Sequence, residues 1–295
     1  MTTLAPFELH RVDSVEEASA AILELGDEAV LYAGGTELLL LLKLGFASYG
    51  HLIDIKPIAE LSGLSVHDGV LRIGAGVRHR HIETSPIVAA GWPGLAAMER
   101  WVANIRVRNV GTLGGNLAFA DPHSDPATFL LASDASVVLG LGPDRRTVPM
   151  ADFIEGPYAT ALQPAELLVR IDVPAVPTGA ALSHLRFAFH ERPAVTVSTL
   201  ARVAGGTLAE ARVAIGSVGV RPIRVPAAEA MLVGLRADDL DPAVLKAAGE
   251  VAAVAAEPEA DANGSAEYKA HLVSVLVGRA LREAIDGTRP SDIAA

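Results

Sequence analysis

The chain has 295 residues, of which 51% are hydrophobic and 20% charged, a balance that excludes disorder and leaves room for two domains with cores of their own. A formal net charge of -11, with no run of Lys or Arg, excludes the electrostatic footprint of a nucleic-acid binder or of a protein held on an anionic membrane. The absence of Cys excludes disulfides, Cys-ligated iron-sulfur clusters and thiolate zinc sites, so any redox chemistry needs a bound organic cofactor.

The N-terminal stretch "MTTLAPFELHRVDSVEEA" has neither a basic n-region nor an apolar h-region, so a signal peptide is not expected and a cytoplasmic location is. "FELHR" alternates as a strand. "SVEEASAAILELG" carries a capping box, Ser14 with Glu17, ahead of apolar Val15, Ala18, Ile22 and Leu25 and a terminating Gly26, which predicts an amphipathic helix. "AVLYA" (29–33) predicts a buried strand, Gly34-Gly35 a tight turn, and "TELLLLLK" a helix capped by Thr36. The leucine run Leu38 to Leu42 is stopped by Lys43, far short of the roughly 20 residues that span a bilayer, so no membrane insertion is expected. With "HLIDI" as a further strand, the first 57 residues read as a small α/β subdomain.

From Leu61 the pattern becomes short β runs, "VLRIGAGV", "ASVVLG" and "LLVRIDVP", around helical stretches from about Pro93 to Val102 and after Asp125. "VPAVPTGAA" (173–181), rich in Pro and Gly, marks the domain boundary. Three strands follow, "SHLRFAF", "AVTVSTLARV" and "EARVAIGSV", and then helices from Pro226, from Asp241 and from Ser265 to Ile285. The predicted fold class is α+β: residues 1–176 as one domain of two subdomains, 1–57 and 58–176, and residues 177–290 as a second domain of antiparallel sheet with helices.

Two glycine pairs stand where chemistry is expected. Gly34-Gly35 joins a strand to a helix, and Gly114-Gly115 lies in "TLGGNLAFADPHSDPA" (112–127). Such pairs also serve as plain turns. Their functional reading is a backbone without Cβ whose N–H groups approach a phosphate, which requires no basic residue. Asn116, Ser124 and Asp125 suit ribose hydroxyls and flavin polar edges, or equally Asx and Ser turns. "GAGVRHRH" lacks the third glycine of a dinucleotide fingerprint, and there is no P-loop. "RHRH" (78–81) has no carboxylate at ligand spacing and reads as a solvated face or a helix entry, so no metal ligands are expected. No hydrolytic triad announces itself.

"AGGTELLLLLK" and "NIRVRNVGTLGGNLAFADPHSD" together resemble the two flavin motifs of the FAD-binding medium subunit of the molybdenum hydroxylases, the family of carbon monoxide dehydrogenase, xanthine dehydrogenase and bacterial aldehyde oxidoreductases. The resemblance continues through "HLIDIKPIAEL", "LRIGAGV", "RTVPMADFI", "LQPAELLVRIDVP" and "GSAEYKAHLVSVLVGRAL", nearly the whole chain. It implies a PCMH-type domain of two α/β subdomains clasping noncovalent FAD, then the antiparallel C-terminal domain. Val30, Leu31, Tyr32, Ala33, Gly34, Gly35, Thr36, Glu37 and Leu38 would line the pyrophosphate and adenosine side. Thr112, Leu113, Gly114, Gly115 and Asn116 would wrap the diphosphate and flavin. Val102, Ala103, Ser124, Asp125, the apolar Leu168 and the basic Arg186 stand at further FAD contacts of the family.

The function this implies is an electron relay without a catalytic residue of its own. A large partner subunit carries the molybdenum cofactor, a small partner carries [2Fe-2S] clusters, and FAD on this chain passes electrons to an external acceptor, in a dimer of heterotrimers. The alternative is a stand-alone FAD-dependent oxidoreductase of the same superfamily, which would need its own substrate cap and catalytic acid or base; none is seen. A module that had lost FAD would be expected to have lost a glycine motif, and both are intact. Pro193 in "HERPAV" replaces the aromatic residue that some relatives lay over the flavin. The lack of Cys excludes the branch with an inserted cluster.

Overall fold

A computed structural model describes residues 4–238 and 240–288; the last two positions of the expected second domain, 289 and 290, lie outside the described residues. The first sheet is parallel, with β1 (Glu8–Arg11), β2 (Ala29–Tyr32) and β3 (His51–Asp54) in the order β1-β3-β2. Helix α1 (Val15–Leu25) joins β1 to β2, and α2 (Leu38–Leu44) follows the first glycine pair. The capping expectation holds at Ser14, whose Oγ accepts from the Glu17 N–H at 3.1 Å; the Glu17 carboxylate reaches back to the Asp13 N–H at 2.8 Å instead of to Ser14.

The second sheet is antiparallel. Its strands β4 (Leu64–His67), β5 (Val70–Gly74), β6 (Ser136–Leu141) and β7 (Asp144–Pro149) leave a central gap, while β8 (Ile154–Gly156) and β9 (Ala159–Thr160) make a separate ribbon. The chain returns as β10 (Leu167–Pro174), which fills the gap in the order β4-β5-β10-β6-β7. Between β5 and β6 runs a helical segment: α3 (His79–Thr84), α4 (Pro86–Gly91), α5 (Pro93–Glu99), α6 (Ile105–Arg108), α7 (Leu113–Phe119) and α8 (Asp125–Ala132); α9 (Met150–Phe153) follows β7. One continuous core runs from Val15, Ala18 and Ile53 through Leu71, Ile73, Leu113 and Leu130 to Ile171, so both sheets share it. Ser19 stitches them, donating to the Ala165 carbonyl and accepting from the Gly142 N–H.

The third sheet, β11 (Ala180–Phe187), β12 (Val195–Ala204), β13 (Thr207–Gly216) and the short β14 (Ile223–Arg224), is antiparallel in chain order. The sequence patterning misses β14, whose two residues are too few to show alternation. Helices α10 (Pro226–Ala230), α11 (Pro242–Ala255) and α12 (Ala266–Gly287) cover one face around Val195, Val197, Ala201 and Val213. The opposite face meets α8, a helix buried at all eight positions. That contact combines Ala214, which joins the first core, with a polar pair: Thr128 Oγ1 lies 2.8 Å from Thr196 Oγ1, which also meets Ser217 Oγ at 3.2 Å. No helix among the described residues is long and apolar enough to cross a membrane.

Two consequences can be measured. Gly249 on α11 faces the Ser274 backbone of α12 so closely that an added Cβ would overlap the Ser274 carbonyl. Gly249→Ala should therefore cost about 1–3 kcal/mol by forcing the helices apart, read as a lowered urea midpoint. Gly91→Ala, with no atom within 4 Å, should leave the midpoint almost unmoved.

The second concerns Glu166, which takes a two-pronged contact from Arg146 (Nε to Oε1 2.7 Å, Nη2 to Oε2 2.6 Å) and the Gln163 N–H at 2.7 Å. The Arg146 hydrogen bonds hold its carboxyl below the usual range, outweighing burial. The pair's stabilisation is thus present at neutral pH and lost as pH falls through that lowered value. Glu166→Gln should cost on the order of 1–2 kcal/mol at pH 7, and its deficit should shrink as both proteins are unfolded at increasingly acid pH.

Candidate functional site

The first glycine pair leaves β2 at the carboxyl end of the parallel sheet, where open parallel sheets bind ligands. Gly35 has φ +70° and lies against the Tyr32 ring, so a Cβ is excluded by conformation and by space. The expectation that Thr36 caps α2 is corrected: the cap position is Glu37, in helical conformation, and no side chain caps the helix. Among the described residues, the backbone N–H groups of Gly34, Gly35, Thr36, Glu37 and Leu38 donate to nothing in the chain. Five consecutive, half-buried donors of this kind suit an anion's oxygens.

The second glycine motif lies directly against the first. A Cβ at Gly34 would stand 2.5 Å from the Val110 carbonyl oxygen and 2.8 Å from Gly111 Cα, and one at Gly111 would be 3.4 Å from Thr36 Oγ1. Here the expectation of free N–H donors is corrected. Leu113 and Gly114 donate to the Val77 and Ala75 carbonyls, Asn116 to the Thr112 carbonyl, and Gly115 to Thr112 Oγ1 at 3.1 Å. Gly114 is a packing glycine, since a Cβ would overlap Ala75, whereas Gly115 is exposed and meets only Thr112 Oγ1. The second turn thus supplies shape, and the first supplies donors.

Asn116 and Ser124 face each other, the Ser124 hydroxyl donating to Asn116 Oδ1 at 2.7 Å. Asp125 is buried and already held: Oδ1 lies 3.2 Å from His184 Nε2 and Oδ2 accepts from Arg186 Nη1 at 3.0 Å. Arg186 also donates to the carbonyls of Trp101 and Glu191. It therefore ties α8, the segment after α5 and the loop 188–193 together. Val102 is buried beside it, and Ala103 has φ +43°; the Val102 and Ala103 carbonyls both accept from Arg108 Nη1. Leu168 sits in the shared core on β10, a strand that packs against α7. Of the first segment, Val30, Leu31 and Tyr32 are half-buried strand residues and Ala33 leads into the turn. Leu31 packs on the core, and the Tyr32 ring carries Lys56 Nζ at 3.6 Å from its centroid.

Sequence reasoning missed two features. Arg192, beside Pro193, crosses from the third sheet to both turns' neighbourhood, pairing with Glu37 at 3.1 Å and Asp121 at 2.7 Å; the adjacent Glu191 accepts from Asn104 Nδ2 at 2.8 Å. The only trace in the sequence is an arginine next to a proline. "RHRH" does open a helix, α3, but its His79 is buried rather than solvated, with Nδ1 2.7 Å from Glu99 Oε2 beneath Gly111. No carboxylate stands at ligand spacing beside "RHRH" in the sequence, and the fold supplies Glu99 to His79 from twenty residues away; strand pairing likewise brings Glu8, His10 and His51 together at the far end of the first sheet. A separate cavity of about 540 Å³ beside Trp92, Phe129 and Leu182 shares no residue with the two turns.

Comparison with known proteins agrees with this layout. A family model described as the FAD binding domain in molybdopterin dehydrogenase matches residues 5–176, and the CO dehydrogenase flavoprotein C-terminal domain matches residues 185–284. The carbon monoxide dehydrogenase medium chain of Hydrogenophaga pseudoflava is 36% identical over 94% of this chain and 96% of its own. The 6-hydroxypseudooxynicotine dehydrogenase complex subunit alpha of Paenarthrobacter nicotinovorans is 30% identical over 95% and 94%. Among solved structures, carbon monoxide dehydrogenase from Hydrogenophaga pseudoflava superposes with a TM-score of 0.93 at 35% identity, covering 98% of this chain and 100% of that one. Quinoline 2-oxidoreductase from Pseudomonas putida 86 gives 0.91 at 29% identity, covering 97% and 99%. With two glycine turns in contact, a row of unspent donors and these matches along its length, the chain belongs to the family of FAD-binding medium subunits of the molybdenum hydroxylases.

Proposed function

We propose that this chain is the FAD-carrying subunit of a molybdenum hydroxylase complex, relaying electrons from [2Fe-2S] clusters of a small partner through noncovalent FAD to an external acceptor. The molybdenum cofactor belongs to a large partner subunit, the assembly is a dimer of heterotrimers, and it works in the cytoplasm. The observation that carries the reading is the run of free N–H donors from Gly34 to Leu38 pressed against the second glycine turn. A diphosphate brings the acceptor oxygens that such a run lacks, and no cation is needed to hold it. Bound FAD supplies the redox chemistry, accepting electrons singly or in pairs.

The chain's own residues bind and orient. In this reading Val30 to Leu38 take the pyrophosphate and adenosine side, and Thr112 to Asn116 the diphosphate and flavin. Asn116 and Ser124 offer polar groups to the ring edge and ribose. Val102, Ala103 and Leu168 serve as further contacts, and Asp125 and Arg186 hold the wall against which the flavin is placed. Residues 1–176 form the FAD-binding domain, with subdomains 1–57 and 58–176, and 177–290 the C-terminal domain.

No Cys exists and neither turn carries a His, so the flavin is held without a covalent tether. Acid precipitation of the purified complex should release the yellow chromophore into the supernatant at close to one FAD per chain; colour kept in the pellet would overturn this.

Gly115 is open to the groove, and a Val there adds a branched Cβ against Thr112 Oγ1 and toward the cofactor. Gly115→Val complex should lose most of its FAD while substrate still bleaches the iron-sulfur absorbance, and turnover with the acceptor should fall in proportion to FAD content. Full turnover without FAD would refute the relay. Loss of both activities in an assembled complex would assign this chain a part in substrate oxidation instead.

A further inference from the structure

The first sheet has a second chemically loaded end. Parallel pairing of β1 with β3 sets Glu8 opposite His51, and alternation puts His10 on the same side of the sheet as both. The glycine turn leaves the opposite ends of these strands, about 10 Å away at the rise of a strand. His10 Nε2 lies 2.9 Å from His51 Nδ1, and Glu8 Oε2 is 3.9 Å from each of those nitrogens. The imidazoles are 30% and 28% exposed, half-buried at the rim of the shared core.

The carboxylate is too far from either ring to hydrogen-bond with it, yet the same oxygen is equidistant from both. A triangle with these sides has its centre about 2.1 Å from every corner, the distance at which zinc binds imidazole nitrogen and carboxylate oxygen. Closing to tetrahedral spacing asks only that the two nitrogens part, and the carboxylate approach, by about half an ångström. Glu8, at the end of an exposed side chain, has that freedom.

We propose that Glu8, His10 and His51 bind a zinc ion, with water in the fourth position. Each ring keeps its proton on the nitrogen that points away, His10 Nδ1 and His51 Nε2, so the ion replaces the hydrogen bond between the rings without net protonation. Two neutral imidazoles and one carboxylate leave the site at +1, which a half-buried, water-touched position tolerates. The ion's role is mechanical: β1 is an edge strand of only four residues, and the metal clasps it to the central strand of the sheet that carries the first glycine turn. This inference does not depend on the flavin reading.

The test uses the full chain, alone or in its complex, stripped with chelator and then equilibrated with zinc at micromolar free concentration. Wild type should take up one zinc per chain beyond that bound by His10→Ala or His51→Ala, and its thermal midpoint should rise by roughly 2–4 °C. Glu8→Gln, a change at an exposed position, should weaken uptake at least tenfold while leaving the metal-free midpoint unchanged. Cobalt in place of zinc should give wild type the intense visible bands of a four-coordinate site, an observation that stands even if a histidine variant folds poorly. Equal uptake by wild type and variants, no uptake, or only the weak bands of six-coordinate cobalt would overturn the proposal.

Discussion

The site depends on one close approach. The backbone of Gly34 lies against Val110 and Gly111 with no room for a single added carbon, and this contact holds the turn after β2 beside the turn before α7. Seventy-odd residues separate the two along the chain. A Cβ at this point would part the turns and widen the groove between them. The glycines of the two motifs thus act differently. Gly34, Gly111 and Gly114 permit contact, Gly35 permits a left-handed backbone, and Gly115 keeps a surface open.

The division of labour between the turns follows from where backbone hydrogen bonds go. In the second turn they are consumed by Ala75, Val77 and Thr112, which leaves that loop its shape and its side chains to offer. In the first turn no cap forms, and the N–H row stays unspent. Buried or half-buried donors without partners are costly unless a ligand or water completes them, and the uncapped start of α2 is the observation on which the proposed FAD reading rests.

The C-terminal unit is joined to the first by polar contacts as well as by the apolar packing of Ala214 and Leu182 on the first core. Asp125 receives His184 and Arg186, Thr128 meets Thr196, and Arg192 reaches Glu37 and Asp121. Directional bonds of this kind set orientation more tightly than apolar packing does, because misplacement leaves a buried charge unpaired. The loop bearing Arg192 and Pro193 is thereby tied to the first turn through the ion pair with Glu37. The Glu37–Arg192 pair gives the turn after β2 a partner from the segment between β11 and β12.

Local signals determined much of the molecule by sequence alone. Ser14 and Glu17 announce α1, and short apolar runs announce β5, β6 and β10; each rests on neighbours within a few residues, which sequence displays directly. The two glycine motifs were legible as a pair because each sets Gly-Gly beside apolar runs, the second with Asn116, Ser124 and Asp125 close by. What they do was not. That Leu113 and Gly114 spend their N–H groups on Val77 and Ala75, that His79 is buried on Glu99, and that Glu8, His10 and His51 converge on one point are decided by partners 20 to 41 residues away and by strand register. The order and spacing of residues settle which elements form; the distances at which those elements meet settle which atoms remain free, because burial and hydrogen-bond pairing are properties of the packed chain alone.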